Sequence, residues 1–317
     1  MTQIDPELHK EFRKVPRFSH GPRSAAVMRY MMERPAIAGL LLPKTSTDGV
    51  AIEEIPTPGS EKTMRVYRRA DSAAPVPVVF WIHGGGYIVG SNKMADHWGV
   101  GLTGRLDCAA VFPGYRLAPK HPFPAALDDL KAAIDWILRD GPQRGLDPSR
   151  IVIGGESAGG GLAAALTQRL YDEGILIKGQ ALVYPMLDNR TAVRTDIGKN
   201  DHHAWTNGSN HYGWSSYLNA EPGGDTTPPY AVPARRENLS GLPPAWIGVG
   251  DMDLFYDEDV EYARRLEEAG VDTTLEIAPG APHGFDMLVP SAAVSQPFTA
   301  SALDFVASAL QTTENAE

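Results

Sequence analysis

The stretch Gly155–Gly159 carries the residue types that a nucleophilic site needs. It reads Gly-Glu-Ser-Ala-Gly, follows the apolar run Ile151–Ile153 and precedes the helix-forming run Leu162–Leu166. A serine on such a sharp strand-to-helix turn has a strained backbone, and its flanking residues must be small because a β-carbon there would collide with neighbouring chain. The turn holds the hydroxyl in the open at the positive end of a helix. The sequence therefore predicts a nucleophile at Ser157.

Two further side chains are placed to activate this serine. A serine hydroxyl is a weak nucleophile unless a base takes its proton and a third group orients that base. Asp253 follows the apolar run Trp246–Val249, and His283 follows the next predicted strand in the same way. Loops after parallel strands emerge at one edge of a sheet, so these two residues are expected to meet Ser157 there. Catalytic triads are known in which the three residues follow one another along the chain in the order serine, aspartate and histidine, as they do here.

A glycine-rich turn, His83–Gly86, directly follows the apolar run Val76–Ile82. Successive glycines let backbone amides point at a ligand with no side chain in the way. Attack on an acyl carbon creates a negative oxygen that such amides stabilise, and losing one donor typically costs about 3–4 kcal/mol. The amide of Ala158, just after the nucleophile, is a further expected donor. A phosphate cradle is the alternative, but no Gly-Lys-Ser/Thr follows the turn.

The elements that must position these residues alternate between strand-like and helix-like patterns. Two short strands, 50–55 and 64–68, suggest an antiparallel edge, and Val76–Ile82 reads as a strand buried on both faces. The later alternation has the spacing of βαβ units, which predicts a mostly parallel sheet with helices on both faces. Further strands are predicted at 109–112, 151–153, 181–184, 246–249 and 273–277, and helices at 24–34, 125–138, 158–171, 258–268 and 300–310.

The segment Leu187–Ser240 breaks this alternation. It is rich in Gly, Pro, Asn, His and Trp, and its length favours an inserted cap or loop region over a linker. The predicted helix 24–34, which Pro35 ends, places Val27 and three methionines at helical spacing. That pattern fits either a helix packed on the core or a flexible lid over a pocket, where methionine adapts to variable apolar ligands.

Composition and charge limit the classes of function. The 317 residues, 43% apolar and 21% charged, are those of an ordinary globular protein. A net charge of −10 argues against nucleic acid or an anionic membrane as the main partner. Residues 1–16 lack the apolar core of a secretory signal, and no apolar run is long enough to cross a bilayer. We therefore expect a cytoplasmic protein whose single cysteine, Cys108, is a buried thiol.

Five motifs resemble those of the hormone-sensitive-lipase-like α/β-hydrolases, also called bacterial family IV esterases. These motifs lie within roughly residues 75–290 and follow one another in the same order as in the family. They are His83–Gly86, Tyr115–Pro119 with Phe123–Ala125, Gly155–Gly160, Asp253 with Asp257–Glu258, and His283–Phe285. The resemblance implies that Ser157 is the nucleophile, that His283 is first base and then acid, and that Asp253 orients the histidine.

The resemblance also implies an architecture. The expected fold class is α/β, and the expected fold is that of the α/β-hydrolases. Its eight-stranded sheet is mostly parallel, with an antiparallel second strand, and helices flank it. Residues 1–317 are expected to form a single domain. A helical cap is expected from residues 1–48 and from the insertion 187–240. Many members form homodimers, and no metal or organic cofactor is implied. The implied oxyanion-hole residues are Gly84, Gly85 and Ala158.

Two departures from the family pattern concern this site. The family usually has aspartate before the nucleophile, whereas this chain has Glu156, which keeps the carboxylate. The family usually reads Asp-Pro-Leu at the acid, and this chain reads Asp-Leu-Phe from Asp253. Asp251 is a rival for the acid two residues earlier. We favour Asp253 because the pair Asp257–Glu258 keeps the family's spacing from it.

Other polar and aromatic residues have less specific patterns. Tyr87, Trp205 and Trp214 are candidates for lining a substrate pocket, with core packing as the alternative, and His97 could border it. His83 is expected to shape its own loop. His202, His203 and His211 are expected to be surface or cap histidines, because no carboxylate or cysteine lies at the spacing of a metal site. Asp128 and Asp129 are expected to be capping or surface charges, although the family often has an acid there.

These observations predict a serine carboxylesterase that hydrolyses short- to medium-chain carboxylic esters through an acyl-enzyme intermediate. Its partner is then a small, uncharged ester and neither nucleic acid nor membrane. An amidase, a carbamate hydrolase or a lipase remains open, since all of these share the triad. A non-catalytic receptor for a small ligand is the alternative from another class, and the presence of His283 argues against it.

Overall fold

An eight-stranded sheet forms the centre of the molecule. The computed structural model describes residues 3–15, 17, 19–32, 46–72, 75–93, 96–198 and 202–311. Its strands are β1 (Val50–Pro56), β2 (Thr63–Arg69), β3 (Val76–Ile82), β4 (Ala109–Pro113), β5 (Leu146–Glu156), β6 (Gly179–Val183), β7 (Ala245–Gly250) and β8 (Thr273–Ala278). They lie in the order β1-β2-β4-β3-β5-β6-β7-β8. In this sheet β2 alone runs opposite to the other seven strands, so the predicted fold class is confirmed.

Burial on both faces explains the continuous apolar runs of the central strands. Every residue of β3, β4, β6 and β7 is buried, because each of these strands has helices or loops above and below it. In β5, Ile151 and Ile153 join one apolar cluster and Val152 joins the other, as alternating side chains must. The edge strands β1 and β8 keep exposed positions.

Helices cover the two faces of the sheet. They are α1 (Pro6–Phe12), α2 (Pro22–Met32), α3 (Asp96–Arg105), α4 (Ala125–Asp140), α5 (Ala158–Asp172), α6 (Asn207–Leu218), α7 (Tyr256–Glu268), α8 (Phe285–Leu288) and α9 (Ser295–Gln311). The apolar cluster on one face contains residues of α4, α5 and α7, and it continues into α6. The cluster on the other face contains residues of α1, α3 and α9. No helix among the described residues has the length and apolar character to cross a bilayer.

Each predicted strand and helix overlaps an observed one, with ends that differ by up to five residues. The helices α3 and α8 were not predicted, and α1 and α6 were expected only as parts of a helical cap. Helix α3 contains Gly99, Gly101 and Gly104, which weaken helix propensity, and it shows little amphipathic pattern. It forms because Trp98 and Leu102 bury their side chains against the sheet. The tertiary contacts of these two side chains therefore override the local sequence.

The N-terminal residues pack at the carboxyl-terminal end of the parallel strands. The Asp5 amide donates to the carbonyl of Gly280 (2.9 Å), and Leu8 and Phe12 of α1 are buried. The Arg29 guanidinium of α2 donates to the carbonyl of Ile88 (2.8 Å), just after the glycine-rich turn. Residues 33–45, including Pro35, lie outside the described part of the chain.

Candidate active site

Ser157 occupies the sharp turn between β5 and α5. Its φ of 58° and ψ of −123° lie outside the regions that most side chains adopt. The turn is held because the Ser157 amide donates to the carbonyl of Val183 and the Ser157 carbonyl accepts from the Met186 amide, each at 2.9 Å. A strained serine backbone fixed by neighbouring chain is the conformation expected of a nucleophile turn.

Gly159 is required at this turn by the closeness of β3. A β-carbon there would lie 2.1 Å from the carbonyl oxygen of Ile82 and 2.5 Å from that of His83. We expect Gly159→Ala to lower the free energy of unfolding by about 1–3 kcal/mol, because both clashing atoms are backbone. Gly101→Ala, with nothing within 4 Å of the new carbon, is the matched control and should be neutral or stabilising. Chemical denaturation of both variants tests this; equal losses would contradict it.

The structure brings Ser157, His283 and Asp253 together. The Nε2 atom of His283 lies 2.9 Å from Ser157 Oγ, and its Nδ1 atom lies 2.8 Å from Asp253 Oδ2. The second carboxylate oxygen of Asp253 accepts from the Phe255 amide at 3.0 Å, which fixes the acid. The rings of Tyr184 and Phe255 pack edge-on against the imidazole. This arrangement can take a proton from the serine and stabilise the resulting imidazolium.

Asp251, the rival acid, has a different contact. Its Oδ1 atom accepts from the Gly280 amide at 2.6 Å, which ties the end of β7 to the turn after β8. Asp253 is the residue whose carboxylate contacts His283. The geometry therefore agrees with the choice of Asp253 over Asp251.

The glycine-rich turn differs from expectation at its first glycine. The Gly84 amide, which was expected to face an oxyanion, donates to Glu156 Oε1 at 3.1 Å and so already has an acceptor. The amides of Gly85 and Ala158 have no acceptor among the described residues, as their expected role requires, and the Gly86 amide shares this state. Sequence reasoning missed Gly86, although the carboxylate of Glu156 was a signal that one amide of the turn would be occupied.

His83 shapes the turn, as expected. Its Nδ1 atom lies 2.8 Å from the Gly84 carbonyl, and its ring stacks on Tyr115 at 4.3 Å. The Tyr115 hydroxyl donates to the His83 carbonyl at 2.9 Å. Burial lowers the pKa of His83 to about 4, so this imidazole is neutral at pH 7.

Trp205 lies directly on the glycine-rich turn. A β-carbon on Gly86, whose φ is 58°, would sit 2.0 Å from the indole carbon Cη2. A β-carbon on Gly213 of α6 would lie 2.8 Å from the Gly86 carbonyl oxygen. The insertion therefore contacts the turn through an aromatic edge and a glycine. Such close contact leaves little room beside Gly86 for a bulky group.

Tyr87 and Trp214 belong to a buried aromatic cluster beneath this contact. Tyr87 stacks on Tyr217 (4.1 Å between ring centroids) and meets Trp214 edge-on (5.2 Å). The Tyr87 hydroxyl donates to the Met186 carbonyl at 3.0 Å. The indole N–H of Trp214 and the amide nitrogen of Asn210, one helical turn apart, have no acceptor in the described residues. The His97 side chain lies outside the described part of the structure.

The remaining polar candidates have ordinary partners, with one correction. His203 Nε2 accepts from Arg17 (2.9 Å) and His211 pairs with Glu221 (2.8 Å), and the described residues contain no group of side chains arranged to hold a metal ion. The expectation of a capping or surface charge is wrong for Asp129. This carboxylate is buried and pairs with the Arg116 guanidinium at 2.9 Å.

A buried carboxylate also couples the acid loop to the insertion. Glu258, at the start of α7, accepts from the Leu187 amide (2.7 Å) and the Asp188 amide (3.1 Å). Its second oxygen accepts from the Thr191 hydroxyl. Burial raises the pKa of Glu258 to about 8. Glu258 therefore links the start of α7 to the first residues of the insertion.

Comparison with known proteins gives consistent results. Residues 79–287 match a family model described as alpha/beta hydrolase fold. Carboxylesterase NlhH of Mycobacterium tuberculosis is 34% identical over 253 residues, covering 73% of this chain and 74% of that protein. An ethyl acetate hydrolase of Pseudomonas putida is 31% identical over 233 residues, covering 72% of each chain. Among solved structures, a bacterial heroin esterase is 34% identical, with a TM-score of 0.88 over 98% of this chain and 99% of that one.

Proposed function

Because the chain belongs to the alpha/beta hydrolase family, we propose that it is a serine carboxylesterase acting on short- to medium-chain carboxylic esters. The observation that carries this proposal is the buried line of contacts from Ser157 Oγ through His283 to Asp253, at 2.9 and 2.8 Å. A carboxylate, an imidazole and a hydroxyl in this line form a general base and an activated nucleophile.

The first half of the reaction forms an acyl-enzyme. Ser157 Oγ attacks the ester carbonyl carbon while its proton passes to His283 Nε2. The carbonyl oxygen becomes an oxyanion, and the unpaired amides of Gly85, Gly86 and Ala158 are the donors that we propose for it. The tetrahedral intermediate then collapses, the carbon–alkoxide bond breaks, and the leaving alcohol takes the proton from His283.

The second half restores the enzyme. Water attacks the acyl carbon and gives a proton to His283, and a second oxyanion occupies the same amides. Collapse breaks the bond to Ser157 Oγ, which takes the proton back, and the carboxylic acid leaves. Every proton and electron pair in this cycle is accounted for by the triad and the substrate, so we propose no metal or organic cofactor.

We propose a single domain over residues 1–317 in which residues 1–48 and 187–240 form a cap over the triad. The described contacts that support this join Arg17 and His20 to residues 203–209. The His20 amide donates to Ser209 Oγ at 2.8 Å, and Arg17 donates to His203. Trp205 then reaches the glycine-rich turn from the insertion. We propose Trp205 and Trp214 of this cap, together with Tyr87 after the glycine-rich turn, as pocket residues.

A short-chain preference is supported by the indole of Trp205. Trp205→Ala is expected to raise the ratio of kcat/KM for p-nitrophenyl octanoate to that for the acetate by about tenfold or more, because removing the ring opens space beside Gly86. Trp205→Phe should give an intermediate ratio. Initial rates with an acetate-to-dodecanoate ester series measure the effect. An unchanged ratio in folded Trp205→Ala would place the acyl pocket elsewhere.

The function itself is tested with the purified wild-type chain. It should hydrolyse p-nitrophenyl acetate or butyrate, and a fluorophosphonate should label Ser157 and stop the turnover. Peptide mapping of the labelled protein identifies the modified residue. A folded protein with neither turnover nor labelling would refute the proposal, and turnover that rises only above the solubility limit of the ester would favour a lipase.

We further propose a cytoplasmic location. Cys108 is buried, and burial raises its thiol pKa to about 12, which suits a reducing compartment without disulfide exchange.

We also propose a homodimer. The edge strand β8 leaves one side of its backbone unpaired in the described chain and exposes Ile277, the kind of edge that a second copy can cover. Light scattering with size-exclusion chromatography tests the dimer.

A further inference from the structure

Glu156 is a buried carboxylate beside the nucleophile that the reaction cycle above does not use. It is the last residue of β5, directly before Ser157, and only 4% of its surface is exposed. A buried carboxylate is costly unless its oxygens accept hydrogen bonds, so its partners indicate why the chain keeps it.

Both partners of Glu156 come from the end of β3 and the turn that follows. Trp81 Nε1 donates to Oε2 at 2.6 Å, and the Gly84 amide donates to Oε1 at 3.1 Å. Trp81 is itself fixed, because its ring stacks on Trp98 of α3 at 4.4 Å. The carboxylate therefore joins the nucleophile turn to the glycine-rich turn through two hydrogen bonds.

We infer that Glu156 is a positioning residue that sets the glycine-rich turn against the nucleophile by holding the Gly84 amide. This inference rests on the esterase function proposed above. Gly85 and Gly86 directly follow Gly84, so the direction of their amides depends on how Gly84 is held. Donors aimed at a developing oxyanion lose much of their effect when they are displaced, and a single one is typically worth a factor of about 100–1000 in kcat.

The two partners require Glu156 to accept with both oxygens, which an ionised carboxylate does. A protonated acid would turn one oxygen into a donor facing an N–H group. Burial raises the pKa of Glu156 to about 7. The titratable groups around it are Asp286 of α8, which raises the pKa further, the hydroxyls of Tyr115 and Tyr184, and the neutral imidazole of His83.

The direction of the pH effects follows from this. The folded state binds a proton at Glu156 up to about pH 7, whereas an unfolded chain releases it near 4.5, so stability falls as pH rises between these values. Activity has the opposite dependence, because the ionised form holds the turn. Acidification should therefore stabilise the fold at this residue while it weakens the oxyanion donors.

The test is Glu156→Gln, which keeps the size but offers one acceptor oxygen. We expect kcat for p-nitrophenyl acetate to fall about 10- to 100-fold with KM within about twofold, because the oxyanion forms only after binding. Affinity for an aryl trifluoromethyl ketone, whose adduct with serine carries an oxyanion, should fall in parallel. Glu156→Asp, which keeps the charge, should retain more of both. The difference between the Tm of Glu156→Gln and that of the wild type should become more positive from pH 5 to pH 8, because only the wild type loses a bound proton at this residue.

A pH profile supplies a readout that a merely structural residue would not change. Protonation of Glu156 should contribute a fall in wild-type kcat near pH 7 that Glu156→Gln lacks, because the amide side chain does not titrate. Glu268→Gln, on the exposed end of α7, is the control and should behave as wild type.

The outcomes separate this inference from the proposed function. If the wild type turns over ester and folded Glu156→Gln has the same kcat and ketone affinity, the inference about Glu156 is overturned and the esterase function stands. Absence of wild-type turnover and labelling would overturn the esterase itself. If Glu156→Gln does not fold, Trp81→Phe removes the other donor and should lower kcat and ketone affinity together, and unchanged values there would also overturn the inference.

Discussion

Replacing Ser157 with alanine is expected to lower kcat/KM for p-nitrophenyl acetate by about 10⁴- to 10⁶-fold. In the proposed mechanism the hydroxyl oxygen forms the acyl bond, and without it only the amides and the pocket can act on a bound ester. His283 and Asp253 keep their 2.8 Å contact but have no nucleophile to activate. Stopped assays with high enzyme concentration are needed to measure so small a residual rate.

The control for this prediction is Ser149→Ala. Ser149 lies on the same strand as the nucleophile turn, and its exposed hydroxyl contacts Asp147 and no residue of the triad. Both alanine variants should stay folded, because each loses a single hydroxyl group, exposed at Ser149 and buried against His283 at Ser157. Retained turnover in pure Ser157→Ala would refute the nucleophile, and a comparable loss in Ser149→Ala would point to a folding defect.

Replacing Asp253 with asparagine is expected to lower kcat by about 10⁴-fold. The carboxylate accepts the Nδ1 proton of His283, which leaves Nε2 free to take the serine proton. An asparagine amide in the same place can donate to Nδ1, which moves the imidazole proton to Nε2 and leaves the serine without a base. The effect should appear in kcat with little change in KM, and the variant should stay folded.

Asp251→Asn is the matched control, two residues earlier on the same loop. Its Oδ1 atom accepts from the Gly280 amide, and an asparagine oxygen can accept the same bond. Its kcat should remain within about fivefold of the wild type, as for residues outside the reacting groups. If Asp251→Asn instead lost the larger factor, the assignment of the acid would have to move to Asp251.

The triad was the part of the site that the sequence predicted best. Ser157, Asp253 and His283 each follow an apolar strand, and parallel strands bring the loops after them to one edge whatever the details of packing. Residue type also identifies them, since only a few side chains can act as nucleophile, base and orienting acid. Topology and side-chain chemistry therefore sufficed.

The oxyanion donors could not be predicted in the same way. A backbone amide belongs to every residue except proline, so residue type does not say which amide of a Gly-Gly-Gly turn faces the substrate. The Gly84 amide is engaged because the carboxylate of Glu156, at the end of the neighbouring strand β5, reaches it. That contact depends on the distance between β3 and β5, which no spacing along the chain encodes.

Two other misses have the same origin. The glycines of α3 weaken its local helix signal, and the helix exists because Trp98 and Leu102 bury themselves on the sheet. Asp129 reads as a polar residue on a helix, and only the fold places the Arg116 guanidinium over it. In both cases a contact between residues distant in sequence decides the outcome, and composition and periodicity carry no record of it.

The contacts of Arg17 and His20 with the insertion have a consequence for protein engineering. These residues meet His203 and Ser209, so surfaces that touch are encoded almost two hundred codons apart. Recombination between homologous genes with a crossover anywhere between these segments would combine halves from different parents. Chimaeras that take both segments from one parent should keep that parent's substrate selectivity. Chimaeras that take the two segments from different parents should lose the contacts between the N-terminal residues and the insertion.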